Sequence, residues 1–267
     1  MFLINPYILQ SSGGSYLLDT YSGADLAFST RKLSSTYSGS CLRVRRSSDN
    51  SELDIGFVGG DLDTAAISSF CGAGIGYVAK WYNQNGGGFD LFNTTAANQP
   101  VIYNNGFTLR NGKPYIQATS TNWLYFASDY VMSVGEDYSL WMTYEKSNSN
   151  SNGVLLKSVS SYMWLDYGAT QYVNSSNSVT VSSQYLANTL YLNNTISDYS
   201  ASTKIYQNNI LIGSRGASTN GGAILYVPAN AARSATITYS ELIWYKSDKT
   251  ADASDISSNI NDYFSIY

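Results

Sequence analysis

What most constrains this chain is the succession of short alternating segments that begins at Tyr77. YVAKWYNQ runs into NGGG, and NGKPYIQAT opens on Asn111-Gly112. DYSLWMTYEK, GVLLKSV and YMWLDYG follow. KIYQNNILIGS folds back at Asn208-Asn209, and AILYVP and ATITYSELIWYKS come after it. Apolar and polar residues that alternate give a strand one inward side, and paired Asn/Gly residues supply the positive φ of tight hairpins. A strand with one apolar side must bury it against another layer, so the pattern predicts two packed antiparallel sheets. The composition agrees. Charged residues make up 13% of the chain, against about 25% in a typical domain. Tyr contributes 24 residues and Gly 22, and aromatic and β-branched residues suit half-buried strands. SNSNSNG (147–153) and the Ser/Asn-rich segment 174–183 read as loops or exposed edge strands. At 267 residues one large sandwich is sufficient, and no repeat or shift of composition marks a second domain.

Two helices interrupt this pattern. Asp61 or Asp63 can cap a short one, with Leu62, Ala66, Ile67 and Phe70 on one side and Gly72 at its end. TADASDISSNINDYFSIY places Ile256, Ile260 and Tyr263 or Phe264 at helical spacing and predicts a closing amphipathic helix. Between Cys41 and Asp61, LRVRR and ELDIGF alternate on either side of the turn residues SSDN. If Ser48 and Asp49 form the loop, Arg43 faces Asp54 and Arg45 faces Glu52 across their own hairpin. The arginines are then neutralised locally and form no basic patch. The first ten residues are a short apolar arm, and SSGGS (11–15) is a flexible linker. The organisation expected is an arm and linker over 1–15 and a sandwich domain over 16–267.

Several chemistries are excluded at once. There is no histidine, which removes the commonest general base and metal ligand and any Ser-His-Asp triad. Cys41 and Cys71 lack zinc-site spacing; two buried thiols and one disulfide both remain open. The net charge of −4 gives no nucleic-acid footprint, and no apolar run is long enough to span a bilayer. MFLINPYILQ has no basic start and is a poor signal peptide. NQNGGG (83–88) lacks the Lys-Ser/Thr of a phosphate loop and reads as a turn. Asp49, Asp61 and Asp63 are explained by turns and caps, so no metal and no cofactor are expected.

Residues 17–102 carry a specific combination of features: a YSG…R-S…YSG-S start, the VRR-SSD-N hairpin, an acidic cap before an A-F-C helix, and the sequence W-Y-N-Q-N-G. This combination resembles a module of bacteriophage tail-fibre and related virion proteins. More distantly it resembles the catalytic domain of α-L-arabinofuranosidase B. The second half is similar to concanavalin A-like (laminin-G-like) jelly rolls through KIYQNNILIGS and through ELIWYKSD with ISSNINDYFSIY. The resemblance implies an all-β, concanavalin A-like antiparallel β-sandwich (jelly roll), with a short helix in the N-terminal half and a C-terminal helix.

The arabinofuranosidase family retains configuration, which needs two carboxyl groups about 5–5.5 Å apart. MWLDYGA (163–169) resembles an F-D-Y-G-N-A segment of the family. The D-M-E-N-N segment that holds the family's nucleophile has no counterpart, because Asp166 and Asp198 are the only acids between Glu145 and Glu241. The acid/base position follows a strand similar to AILYVPAN and corresponds to Asn230. A pair of adjacent cysteines beside the family's sugar site is also missing. Both proton-handling roles thus look vacant, and the expectation is a non-enzymatic virion protein in a tail-fibre, receptor-binding or head-decoration role. The alternative is a glycoside hydrolase related to α-L-arabinofuranosidase, or another capsule-degrading enzyme. Candidate glycan-binding residues are Trp164, Asp166, Tyr167, Tyr172, Asn230 and Trp123, since aromatic faces stack on sugars and Asn or Asp side chains bond hydroxyls. The same aromatics can instead be core. Phe2, Leu3, Ile4, Tyr7, Ile8 and Leu9 are candidates for attachment to other virion proteins. A host cell-surface glycan and further copies of the chain are the other expected partners, with no nucleic acid and no membrane insertion. The expected setting is a virion assembled in a host cytoplasm.

Overall fold

The strand Ile237–Tyr245, ITYSELIWY, is buried along its whole length because both of its edges are paired and both of its faces are covered. One edge pairs with Tyr138–Lys146. The other is shared end to end by Leu26–Ser29 and Ile116–Ala118. The computed structural model describes residues 16–119, 121–127, 130, 135–147, 153–157, 162–167, 170–174, 177–181, 186–216, 226–227 and 236–267, with the backbone alone over most of 153–180 and at 226–227.

Around this strand one layer runs Ile210–Gly216, Ser202–Gln207, Tyr191–Asp198, Tyr138–Lys146 and Ile237–Tyr245, all antiparallel. The facing layer begins with Glu52–Ile55, Leu42–Arg46 and Ile75–Trp81. It continues through Leu91–Phe92, Leu124–Phe126, Tyr226–Val227 and Gly153–Lys157. It then ends in Tyr162–Tyr167, Thr170–Asn174 and Asn177–Thr180. Val101–Asn104 bonds to both Ile75–Trp81 and Ile116–Ala118 and joins the layers. The predicted all-β sandwich is therefore the fold observed.

Strand alternation sorts the residues into a core. Phe28, Trp81, Phe126, Tyr138, Leu140, Met142, Tyr239 and Trp244 fill the space between the layers, with Tyr138 stacked on Trp244 at 4.9 Å. A second cluster, Trp141, Ile243 and Tyr245 with Leu17 and Tyr115, lies on the opposite face. It is covered by the C-terminal helix Ala253–Phe264, which buries Ile256, Ile260 and Phe264, the stripe expected from their spacing. The helix Thr64–Cys71 is capped by Asp63, whose carboxylate accepts from the Ala66 N–H at 2.9 Å, and ends at Gly72. Two hairpins turn at the predicted pairs: Asn111-Gly112 at φ 50° and 77°, and Asn208-Asn209 at φ 51° and 64°. Both pairs lie in the left-handed region that a two-residue turn between twisted strands requires.

Some expectations need correction. A further helix, Leu17–Thr20, is present. It is too short to show a period. Asn177–Thr180 ends its layer as an edge strand paired to Thr170–Asn174, but its Val179 and the neighbouring Val181 are buried in the main core. Arg43 faces Asp54 and Arg45 faces Glu52, as the hairpin register predicts. Only the first of these pairs closes as an ion pair. Arg45 is 7% exposed and turns to Gln99, Asn50 and the Ala96 carbonyl, with Tyr77 under its guanidinium. It anchors the 95–100 loop where several polar acceptors converge. Arg46 bonds Asp49 within the turn. Both cysteines are free and buried, so no disulfide forms. The arm residues Phe2, Leu3, Ile4, Tyr7, Ile8 and Leu9 lie outside the described residues.

Two buried polar devices hold the start of the sandwich. Glu241, fully buried, accepts from Arg31 Nε at 2.8 Å and Nη2 at 3.0 Å and from Ser29 Oγ at 2.6 Å. Arg31 also lies over the Tyr263 and Phe264 rings of the last helix. Gln84 acts as a substitute peptide: it accepts from the Leu33 N–H at 2.8 Å and donates to the Ser29 and Arg31 carbonyls. Removing one member of a buried ion pair strands the other charge. Arg31→Met is expected to lower the unfolding free energy by about 3–5 kcal/mol, read as a lower urea midpoint. The double change Arg31→Met with Glu241→Leu should recover much of the loss. A single variant as stable as the parent would show that the pair does not hold the fold.

Candidate functional site

The facing layer has one buried row and one open row, offset by a single residue on each strand. Ile55, Leu42, Trp81, Leu91 and Phe126 are cross-strand neighbours and are all buried. One position along, Asp54, Arg43, Lys80, Phe92 and Tyr125 are neighbours in turn on the solvent side. The same register continues by backbone pairing through Tyr226 and Lys157 to Tyr162. The row crosses eight strands, and adjacent strands sit about 4.8 Å apart. It starts with charges and ends with aromatic residues.

At the charged end Arg43 holds Asp54 with two parallel bonds, Nε to Oδ1 at 2.7 Å and Nη2 to Oδ2 at 2.9 Å. The Tyr82 hydroxyl donates to the same carboxylate at 2.7 Å. Lys80 pairs with Asp90 at 3.3 Å, and Asp90 also accepts from the Asn83 N–H. The Arg43 bond, aided by Tyr82, holds the Asp54 carboxyl below the ordinary carboxylate range. Burial and the bond to Asp54 push Tyr82 up to about 12. At the aromatic end Phe92 and Tyr125 lie with ring centroids 4.8 Å apart and remain partly exposed, and the Tyr125 hydroxyl meets Thr94 Oγ1 at 3.2 Å. With Arg43 and Lys80 each paired to a carboxylate, this end of the surface offers ring faces and hydrogen-bonding edges, an arrangement suited to a polyhydroxylated chain.

The residues singled out in the sequence fall mostly on this layer, though not all together. Trp164 and Tyr172 are direct cross-strand neighbours and form a backbone row with Val154 and Ser178. Asp166 and Tyr167 lie on the same strand as Trp164, beyond an irregularity in register. Trp123 precedes Leu124–Phe126, three strands away from Tyr162–Tyr167. It is half-buried, and its carbonyl accepts from Asn93 Nδ2. Asn230 lies outside the described residues. Asp198, the other acid between Glu145 and Glu241, spends its carboxylate on Ser200 and the Ala201 N–H and forms a turn. Asp49, Asp61 and Asp63 do not converge: Asp49 serves Arg46, Asp61 serves Lys113 and Tyr263, and Asp63 caps its helix.

The Asp54–Tyr82–Lys80–Asp90 group was not anticipated. The Arg43–Asp54 pairing was legible from the hairpin, but nothing in the sequence ties Tyr82 or Asp90 to it. Asp19, Asp49, Asp54 and Asp198 all lie below the usual carboxylate range, held by bonds to Ser35, Arg46, Arg43 and Ser200 respectively. A general acid for glycoside cleavage needs the opposite shift, so none of these four carboxyls is placed to supply that proton.

Residues 20–111 match the family model described as "Alpha-L-arabinofuranosidase B, catalytic". Among solved structures, a mutant GH54 α-L-arabinofuranosidase soaked with 4-nitrophenyl α-L-arabinofuranoside shares the fold with a TM-score of 0.68 at 12% identity, over 91% of this chain and 64% of that one. An arabinofuranosidase complexed with arabinofuranosyl-α-1,2-xylobiose gives 0.64 at 14% identity, with 91% and 64% covered. The binding domain of Paraclostridial Mosquitocidal Protein 1 gives 0.50 at 10% identity, over 69% of this chain and 50% of that one. No curated protein matches the sequence. The chain spans less than two thirds of the length of the arabinofuranosidases it resembles. At these identities the structural likeness establishes the fold.

These findings overturn the expectation of a non-enzymatic protein. The matched model describes a catalytic domain, which runs against that expectation; the solved arabinofuranosidases share the fold over most of this chain. The expectation rested on a missing Glu and on Asn230, both read from short motifs in the half of the chain where the likeness is weakest.

The charged end of the row has a defined pH response. Because the folded Asp54 carboxyl is lowered, its contribution to stability is present above the unfolded value near 3.9 and is lost as pH falls through the folded value. Arg43→Met is expected to raise the Asp54 pKa, read by carboxyl NMR titration. Its destabilisation should be full at about pH 6 and fade toward about pH 2. A penalty that is constant over that range would exclude the electrostatic account.

Proposed function

We propose that this chain is a glycoside hydrolase-type module related to the α-L-arabinofuranosidases, acting on arabinofuranosyl or similar units of a surface polysaccharide. The observation that carries the reading is the agreement between the family match over residues 20–111 and the fold shared over 91% of the chain. The open row of the facing layer supports it. A glycan laid across the strands would find the Phe92 and Tyr125 rings first. It would reach the strand Tyr162–Tyr167 three inter-strand spacings on, about 14 Å away. That strand carries Trp164 and Asp166, and Tyr172 is the cross-strand neighbour of Trp164.

Asp166 is the carboxyl we assign to the reacting sugar. It lies in the segment similar to the family's F-D-Y-G, and it is on the layer that carries the aromatic row. The particle setting belongs to the same proposal: a hydrolase attached through Phe2, Leu3, Ile4, Tyr7, Ile8 and Leu9 to a phage tail would open the host's glycan coat. Repeated copies would add avidity to weak single contacts.

The test is release of 4-nitrophenol from 4-nitrophenyl α-L-arabinofuranoside, followed by sugar release from arabinose-containing and capsular polysaccharides. Turnover is expected, with kcat lowered by about 100-fold or more in Asp166→Asn and KM raised in Tyr125→Ala. No release from any of these substrates would overturn the hydrolase reading. Unchanged turnover in Asp166→Asn would overturn the assignment of that carboxyl.

A further inference from the structure

A separate concavity of about 460 Å³ opens beside the hairpin that carries Asp54, within the range of small-molecule sites. Its walls include Tyr16, Tyr37 and Phe57, with Lys32, Ser40 and Gly56 among the other lining residues. Tyr37 is fixed: its hydroxyl donates to the Ser40 carbonyl at 2.7 Å, and its ring meets Phe57 edge-on at 6.4 Å. Only glycine permits this at position 39, where an added Cβ would lie 2.6 Å from the Tyr37 oxygen. The aromatic wall is therefore preformed.

Lys32 distinguishes this pocket. Its ammonium donates to the Ser35 carbonyl at 3.2 Å and lies 5.4 Å from the centre of the Tyr16 ring. Among the described residues it has no ion pair, whereas Lys80, Lys113, Lys249, Arg31, Arg43, Arg46 and Arg110 each have one. Asp19 feels the Lys32 charge but spends its own oxygens on Ser34 and Ser35. Residues 1–15 contain no acid that could neutralise it. An ammonium has three donors, so Lys32 retains capacity for an anion.

We infer that this pocket is a subsite for an acidic sugar unit, a hexuronate or a monosaccharide of the same kind. The sugar ring packs on the Tyr37 and Phe57 rings, and its carboxylate meets Lys32. A single cation between aromatic walls matches one carboxylate on an apolar-faced ring. A phosphate would call for several donors, and Lys32 is the one cation among the lining residues. The inference goes beyond the hydrolase reading and does not rest on it.

The test is NMR titration of the full chain with sodium glucuronate, with glucose as the neutral ring and acetate as the charge alone. Glucuronate is expected to shift pocket resonances saturably, and the two controls to bind about tenfold more weakly or worse. Lys32→Met should lose about tenfold, the scale of one charge-assisted hydrogen bond. Gly56→Leu should abolish binding with no change in Tm, because a Cβ at position 56 meets nothing within 4 Å and the longer side chain fills the cavity. Absence of a saturable shift, or parental binding in both variants, would overturn the inference. Binding that appears only after residues 1–15 are deleted would also overturn it, by making the arm the occupant. Asp166→Asn should retain glucuronate binding whatever it does to turnover, so the two readings fail separately.

Discussion

The buried carboxylate of Glu241 is the constraint around which the rest of the molecule is arranged. It sits on a strand that is covered on both faces, and it is satisfied by groups 210 and 212 residues away in sequence. Arg31 brings its own contacts with the last helix, so one guanidinium ties the first strand, the last strand and the closing helix together. Such a pair adds little over an apolar substitute in net stability. What it does impose is register, because a one-residue slip of either strand would leave a charge unpaired in the interior. Gln84 and Asn83 do the same by another route, bonding peptide groups between Asp25 and Leu33 from a turn more than fifty residues on.

With that register held, the two rows of the facing layer follow from strand geometry alone. A period of two residues puts Leu42, Trp81 and Leu91 inward and leaves Arg43, Lys80 and Phe92 outward. At the start of the outward row Arg43 pairs with Asp54 of the row and Lys80 with Asp90 beside it. The surface left for a ligand is then dominated by rings and hydroxyls. The pocket at Lys32 differs in kind: there a cation is left without a carboxylate. The protein thus presents a platform of rings and hydroxyls and, beside it, a place for a single negative charge.

The contrast between a family-like fold and the four carboxylates held low by structural bonds explains why a reading from motifs turned away from catalysis. Asp49, Asp54 and Asp63 were correctly read as turn, hairpin and cap residues, and their bonds are those of a turn, a hairpin and a helix cap. The expectation failed in the second half, where it rested on a missing Glu and on Asn230. There the F-D-Y-G-like segment is short and the expected Glu is absent, and motif spacing stops reporting on position in space. Backbone register places Asp166 on the same layer as the aromatic row, a relation across strands far apart in sequence.

The sequence by itself determined what depends on near neighbours. Alternation specified strands and the absence of histidine removed whole mechanisms. Asn-rich pairs set the two hairpins, Asp63 and Gly72 bounded a helix, and Ile256, Ile260 and Phe264 gave its closing counterpart a buried side. Each of these is a local conflict between backbone geometry and side-chain chemistry, resolved within a few residues. Only the tertiary structure decided that Arg45 would leave Glu52 for Gln99, that Val179 would enter the core, that the residues of NQNGGG would clamp the first strand, and that Lys32 would be left unpaired beside three rings. Those outcomes depend on which groups compete for the same donor or the same buried space once distant strands are side by side. No property of one segment contains that information.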